Sequence, residues 1–218
     1  MTQNNHPTVT IGSQVWMSKE LDVQNYRNGD PIRHAVSDED WRDAGRKSEG
    51  AWCRYAVDDP VQGKVIRYLY NGFAVFDPRV LAPEGCHVPS LDEWMTLINF
   101  LGGEEVAGGK LKEVGTNNWD EPNTGATNSS GFTGVGSGLR SMLIPALSLY
   151  CQKGSYWSST EGKKLSPIPD DMWVDKDDAE IIDTFDFAYA LELNNSKASA
   201  TCRETFKSMG FLVRCILD

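Results

Sequence analysis

The most reactive side chains of this 218-residue sequence are five cysteines and three histidines. Cys53, Cys86, Cys151, Cys202 and Cys215 include no C-x-x-C pair, and His6, His34 and His87 are scattered, so no zinc-ligand spacing is present. Histidines this dispersed give no support to a Ser-His-Asp relay. A cysteine nucleophile needs a base or cation beside it to lower its pKa. Cys202 beside Arg203 and Cys53 beside Arg54 are the two with such a neighbour in sequence. Most of the five read as small buried hydrophobes. One disulfide, for example Cys53 to Cys215, is the alternative if the protein is secreted.

Two further stretches resemble ligand motifs without completing them. Asp175-Lys176-Asp177-Asp178 starts like a calcium loop but lacks the Gly at the sixth position and the Glu at the twelfth. Gly134-Val135-Gly136-Ser137-Gly138 is glycine-rich, yet no G-K-[S/T] follows and no βαβ unit surrounds it. Tight turns explain those glycines better than a phosphate does. No metal, cofactor or catalytic residue is therefore expected. What remains is a surface for noncovalent recognition.

Composition sets the frame for that surface. Hydrophobic residues make up 40% and charged residues 24%, as in an ordinary globular domain. Seven Trp, seven Tyr and eight Phe supply enough apolar area for a core. The net charge of −10 argues against a nucleic-acid partner, because an acidic surface repels phosphate. No run of apolar residues is long enough to span a bilayer, and the first residues show neither a basic start nor an apolar signal core.

The elements that must position the surface follow from local patterns. Residues 8–17 alternate as a hairpin about Gly12-Ser13. Residues 25–35 read as loop, and Ser37 caps a short helix. Ser90 and Glu93 form a capping box, after which Leu91, Trp94, Leu97, Ile98 and Leu101 share one helical face until Gly102-Gly103 stops it. A further helical turn is expected within 106–113. Residues 117–138 read as a long ordered loop, because Trp119 and Phe132 need burial. Residues 161–186 carry nine acids against three lysines and read as an exposed insertion. In 187–194, Phe187, Tyr189, Leu191 and Leu193 share one face, and Ala188, Ala190, Glu192 and Asn194 the other. A turn at 194–197 and a returning strand at 198–203 complete a hairpin. The segment FLVRCI, 211–216, is apolar on both faces apart from Arg214 and reads as a central strand. Helices early and strands late make an α+β domain.

The stretches VTIGSQVWMSKELDVQNYRNGDPI, GAWCRY, LYNGFAV, LAPEGCHVPSLDEW, INFLGG, GGKLKEVGTNNW, NTGATNSSGFT, YWSSTE and GFLVRCILD resemble the Fibrobacter succinogenes major paralogous domain, a family common in gut Bacteroidetes. The likeness runs from about Val9 to Asp218. It implies one C-type lectin-like domain over 8–218, with two helices, an irregular antiparallel sheet and long ordered loops, preceded by a flexible N-terminus at 1–7. HVPSLDEW and GFLVRC are similar to landmarks of the formylglycine-generating enzymes, which share that fold. Two departures stand out: Cys86 replaces the usual Trp, and the acidic insertion is longer than the family pattern. Glu121-Pro122-Asn123 spells the sugar-binding tripeptide of C-type lectins, but the Trp-Asn-Asp stretch of that calcium site is missing.

Proteins diversified by diversity-generating retroelements use the same fold and vary residues near the carboxyl end between fixed core positions. The resemblance extends to such variable proteins. It implies a ligand-binding surface of Ala190, Glu192, Asn194, Ser199, Thr201, Arg203 and Phe206, with Tyr150 and Tyr156 either as aromatic anchors or as partial core. The partner is expected to be a protein or glycan on a cell surface, and the location a cell surface, the extracellular space or a phage particle. The rivals are a fixed-sequence adhesive or structural module of a surface lipoprotein, and a formylglycine-type oxidase.

Overall fold

The computed structural model describes residues 6–59, 63–141, 147–165 and 185–218. In chain order the elements are β1 (Thr8–Ile11), β2 (Gln14–Met17), β3 (Arg33–His34), α1 (Asp38–Arg46), β4 (Ala51–Asp59), β5 (Gly63–Asn71), α2 (Gly72–Val75), β6 (Cys86–His87), α3 (Leu91–Phe100) and α4 (Glu104–Leu111). The last part adds β7 (Ser137–Arg140), β8 (Leu147–Tyr150), β9 (Lys153–Leu165), β10 (Phe185–Asn194), β11 (Ala200–Phe206), β12 (Gly210–Phe211) and β13 (Ile216–Leu217). The molecule is a mixed α+β protein dominated by sheet. It has four helical segments among the described residues where the resemblance implied two: the Ser37-capped helix read from the sequence is α1, and the single turn α2 is a further addition to α3 and α4.

Local chemistry explains the helix positions. The Ser90 hydroxyl accepts from the Glu93 amide, and the Glu93 carboxylate accepts from the Ser90 amide, which satisfies two of the orphan donors at the start of α3. Trp94, Leu97 and Ile98 are buried on its inner face, and Leu101 continues it. Gly102 and Gly103 end the helix at φ 101° and 94°, a conformation that glycine adopts without a Cβ penalty. Ser37 and Asp40 repeat the capping box at α1.

Strands β1, β2, β13 and β6 form a small sheet in that order. The larger sheet runs β11-β10-β9-β7-β12-β5-β4-β3, with β8 paired to β7. Pairing is mostly antiparallel, but β3–β4 and β7–β9 are parallel. The expected central strand at 211–216 is divided: Phe211 ends β12 in the large sheet, Leu212 makes one bridge to Tyr156, and Ile216 begins β13 in the small sheet. Burial on both faces is as expected, since residues 210–216 are all buried. The segment joins two sheets, so it cannot keep one strand's register along its whole length.

Two hydrophobic clusters flank β9 and β10. One holds Trp16, Trp94, Phe132, Tyr156, Leu191 and Leu193; the other holds Trp52, Tyr70, Trp157, Ala190, Phe211 and Val213. Adjacent residues Tyr156 and Trp157, or Ala190 and Leu191, enter opposite clusters because strand side chains alternate. Trp119 and Phe132 of the long loop are fully buried, and the Trp119 indole donates to the Gly134 carbonyl at 2.9 Å. All five cysteines are free thiols, and Cys53 and Cys215 sit in different clusters, which corrects the disulfide alternative. Of the acidic insertion, 166–184 lies outside the described residues, as do 1–5 of the N-terminus; 161–165 and 185–186 belong to β9 and β10. Among the described residues, no helix is long and apolar enough to cross a membrane.

Candidate functional site

The β10–β11 hairpin forms one edge of the large sheet and is seated by its turn. Lys112 is fully buried, and its ammonium donates to the carbonyls of Thr124, Asn194 and Lys197 at 2.9 to 3.0 Å. Burial pushes its pKa down to about 8, so it remains mostly charged at neutral pH. Close approach of backbone adds to this: a Cβ on Gly108 would meet the Ser199 carbonyl oxygen at 2.1 Å. The Gly109 amide donates to the Ala198 carbonyl at 2.8 Å.

Register then assigns the faces. Leu191 opposes Cys202 and Leu193 opposes Ala200, and this side packs into the core under α3 and α4. Glu192 opposes Thr201 and Ala190 opposes Arg203 on the other side. Glu192 and Thr201 are half-buried and Arg203 is exposed. Lys153 of β9 pairs with Glu192 at 2.9 Å, while Arg203 makes no ion pair with a described residue. The structure thus brings Glu192, Thr201 and Arg203 together.

Several expected surface residues are placed otherwise. Ala190 is only 5% exposed, because Trp157 of β9 and its cluster cover it. Tyr156 is fully buried, its ring edge-on to Phe132 with centroids 5.5 Å apart, so it is core and not an anchor. Phe206 lies on the opposite face from Arg203, against Phe187 at 4.6 Å. Asn194 is committed to the turn, its side-chain oxygen accepting from the amide and hydroxyl of Ser196. Half-buried Ser199 is in the same turn, outside β11, and half-buried Tyr150 ends β8 away from the hairpin.

A second site was not anticipated. A cleft of about 480 Å³ opens beside β5 and the segment after β2. Its floor is an ion-pair network. Glu20 accepts from Arg214 through one oxygen and from Arg67 through the other at 3.4 Å, and the Tyr156 hydroxyl donates to Glu20 at 3.3 Å. Arg67 also donates to Asn118, whose amide donates to Glu113. Burial raises the Glu20 pKa, but Arg214 and Arg67 outweigh it and hold the carboxyl below its ordinary value. Arg214 was visible in sequence as the one charge in an apolar run. A buried guanidinium demands a carboxylate, but its partner is set by the tertiary fold.

Burial dominates the thiols, although the Arg140 guanidinium beside Cys53 pulls its pKa the other way. Burial pushes Cys53 up to about 11 and Cys202 to about 12, and raises Cys86, Cys151 and Cys215 as well. Arg203 does not lower the Cys202 thiol because neighbours along a strand face opposite sides. Five strands of the large sheet lie between Cys202 on β11 and Cys53 on β4. In the EPN tripeptide, the Asn123 amide is used on the carbonyls of Glu113 and Gly115, bracing the loop. Among the described residues, no group of three His, Cys, Asp or Glu side chains is placed to hold a metal ion.

A family model described as the Fibrobacter succinogenes major domain matches residues 9–216. No curated protein and no solved structure matches the chain.

Proposed function

The chain belongs to the Fibrobacter succinogenes major domain family, and from that premise we propose that it is a noncovalent ligand-binding domain of C-type lectin-like build. It grips a protein or glycan on a cell surface through the outward face of the β10–β11 hairpin. The observation that carries this reading is the register: Glu192, Thr201 and Arg203 share a face whose reverse, Leu191, Leu193 and Ala200, is sealed in the core. These three, unlike Ala190 of the same face, belong to neither hydrophobic cluster and can change with little effect on packing, which is what recognition on a rigid scaffold requires. Diversification by a retroelement, on a bacterial surface or phage particle, would act on these same three positions.

A fixed-sequence adhesive module of a surface lipoprotein is the second reading. It is favoured by Asn194, whose turn bonds leave it little freedom to vary. A reverse transcriptase and an adenine-mismatched template repeat beside the gene select diversification; a locus without them selects the adhesive module.

Binding itself is tested by screening the protein on glycan and surface-protein arrays with the triple substitution Glu192→Gln, Thr201→Lys, Arg203→Glu as control. The expected result is a wild-type ligand that the triple variant loses while its melting temperature is kept. A ligand held equally by both proteins, or no ligand on either array, overturns the proposal.

A further inference from the structure

The geometry points to a second, independent binding site: the cleft over Glu20, Arg67 and Arg214 takes a neutral polyhydroxylated ligand, one or two sugar residues, without a metal ion. Its volume of about 480 Å³ lies within the usual range for small-molecule sites, roughly 300–1,000 Å³. The lining excludes other ligand classes. Lys19, Arg67 and Arg214 are matched by Glu20, Asp22 and Glu113, so neither an anion nor a cation meets a field of opposite sign. The same six side chains are too polar to be covered by an apolar ligand without leaving charges unpaired.

Hydroxyl groups suit this wall because each one both donates and accepts. The Arg67 guanidinium has five N–H donors, and its bonds to described residues engage Nη1 with Glu20 and Nη2 with Asn118. The carboxylates of Asp22 and Glu113 supply acceptors along the cleft. Ile66, which lines the cleft and is 52% exposed, gives the apolar part that the C–H face of a sugar ring needs. The polar floor is fixed, since Glu20 is held by Arg67, Arg214 and Tyr156 together. A site so preorganised spends little ordering entropy on binding.

The test is titration of the protein with neutral mono- and disaccharides of glucose, galactose, mannose and N-acetylglucosamine, followed by NMR and calorimetry. Binding tighter than about 10 mM, unchanged by EDTA, is expected for at least one sugar. Ile66→Ser should weaken it about tenfold, the loss of the apolar part of the wall. Asp22→Ala, at the exposed rim and outside the buried network, should weaken it with the melting temperature kept. Arg203→Ala on the hairpin should leave it unchanged, which separates this site from the hairpin face. No binding by any of these sugars, binding abolished by EDTA, or binding that both cleft variants retain in full overturns the proposal.

Discussion

The guanidinium of Arg214 closes on the carboxylate of Glu20, 194 residues earlier in the chain, and their ion pair forms the floor of the cleft. It ties the segment after β2 to the segment that crosses between the two sheets. The same guanidinium donates to the Phe132 carbonyl and lies 4.1 Å over the Phe132 ring, so the long loop is tied in as well. Removing one partner strands the other charge in the interior. Glu20→Gln is expected to cost about 3–5 kcal/mol in urea unfolding. The acid limb adds a check. Because the Glu20 carboxyl is held below 4.5 in the folded state, its stabilisation is complete above that value and lost as pH falls through the depressed one. Wild type should therefore lose stability on acidification more steeply than Glu20→Gln.

His87 bridges two carboxylates, with Nδ1 2.6 Å from Asp218 and Nε2 2.8 Å from Glu93. Burial lowers its pKa, but the two acids together outweigh that and raise it above 6.5. The protonated ring links β6 to the capping box of α3, since Glu93 also accepts from Ser90. A raised histidine pKa stabilises the fold fully below 6.5, and that share is lost as pH rises through the folded value. NMR titration of His87 should show the upward shift. The stability advantage of wild type over His87→Gln should shrink between mildly acidic and mildly alkaline pH.

Much of the local architecture was legible, because capping boxes, the β1–β2 turn and the helical stripe of α3 are decided by neighbours in sequence. The alternation in 187–194 also placed Glu192 on the face it shares with Thr201 and Arg203. Burial of that face was not legible. Ala190 and Glu192 have the same parity, but only Ala190 lies under Trp157, and β9 is brought alongside β10 by tertiary pairing. Phe206 was misplaced because the expected return strand stops at 203, whereas β11 runs on to Phe206, and its even positions, Phe206 among them, share the side of Leu191 and Leu193. The cleft was invisible for the same reason: Glu20, Arg67, Asn118 and Arg214 come from four separate parts of the chain and meet only in the folded molecule.

Gly108 and Thr201 should respond oppositely to substitution. A Cβ at Gly108 would sit 2.1 Å from the Ser199 backbone oxygen, where no flexible side chain can give way. Gly108→Ala must push the turn off α4 and is expected to lower stability by about 1–3 kcal/mol, as overpacking does. Thr201→Ala touches only the outward face and should stay within about 0.5 kcal/mol of wild type. Thermal melts of the two variants side by side provide the comparison.

Lys112 holds the hairpin turn to the long loop through three carbonyls and no carboxylate. Its stem passes through the interior, and its ammonium lies 5.4 Å from the centre of the Trp119 ring, so both ends of the side chain are engaged. Methionine keeps the bulk of the stem but cannot donate. Lys112→Met therefore leaves the oxygens of Thr124, Asn194 and Lys197 without this donor at part-buried bonds, and an acceptor left unsatisfied away from water costs about 1–3 kcal/mol. Relief of the desolvated charge offsets part of this, so a net loss of about 2 kcal/mol is expected in denaturant unfolding. The damage should be local as well as global: hydrogen exchange at the amides of Thr124 and Asn195 should speed up more than in α3. Unchanged exchange at those amides would mean that the turn is held by its backbone bonds alone.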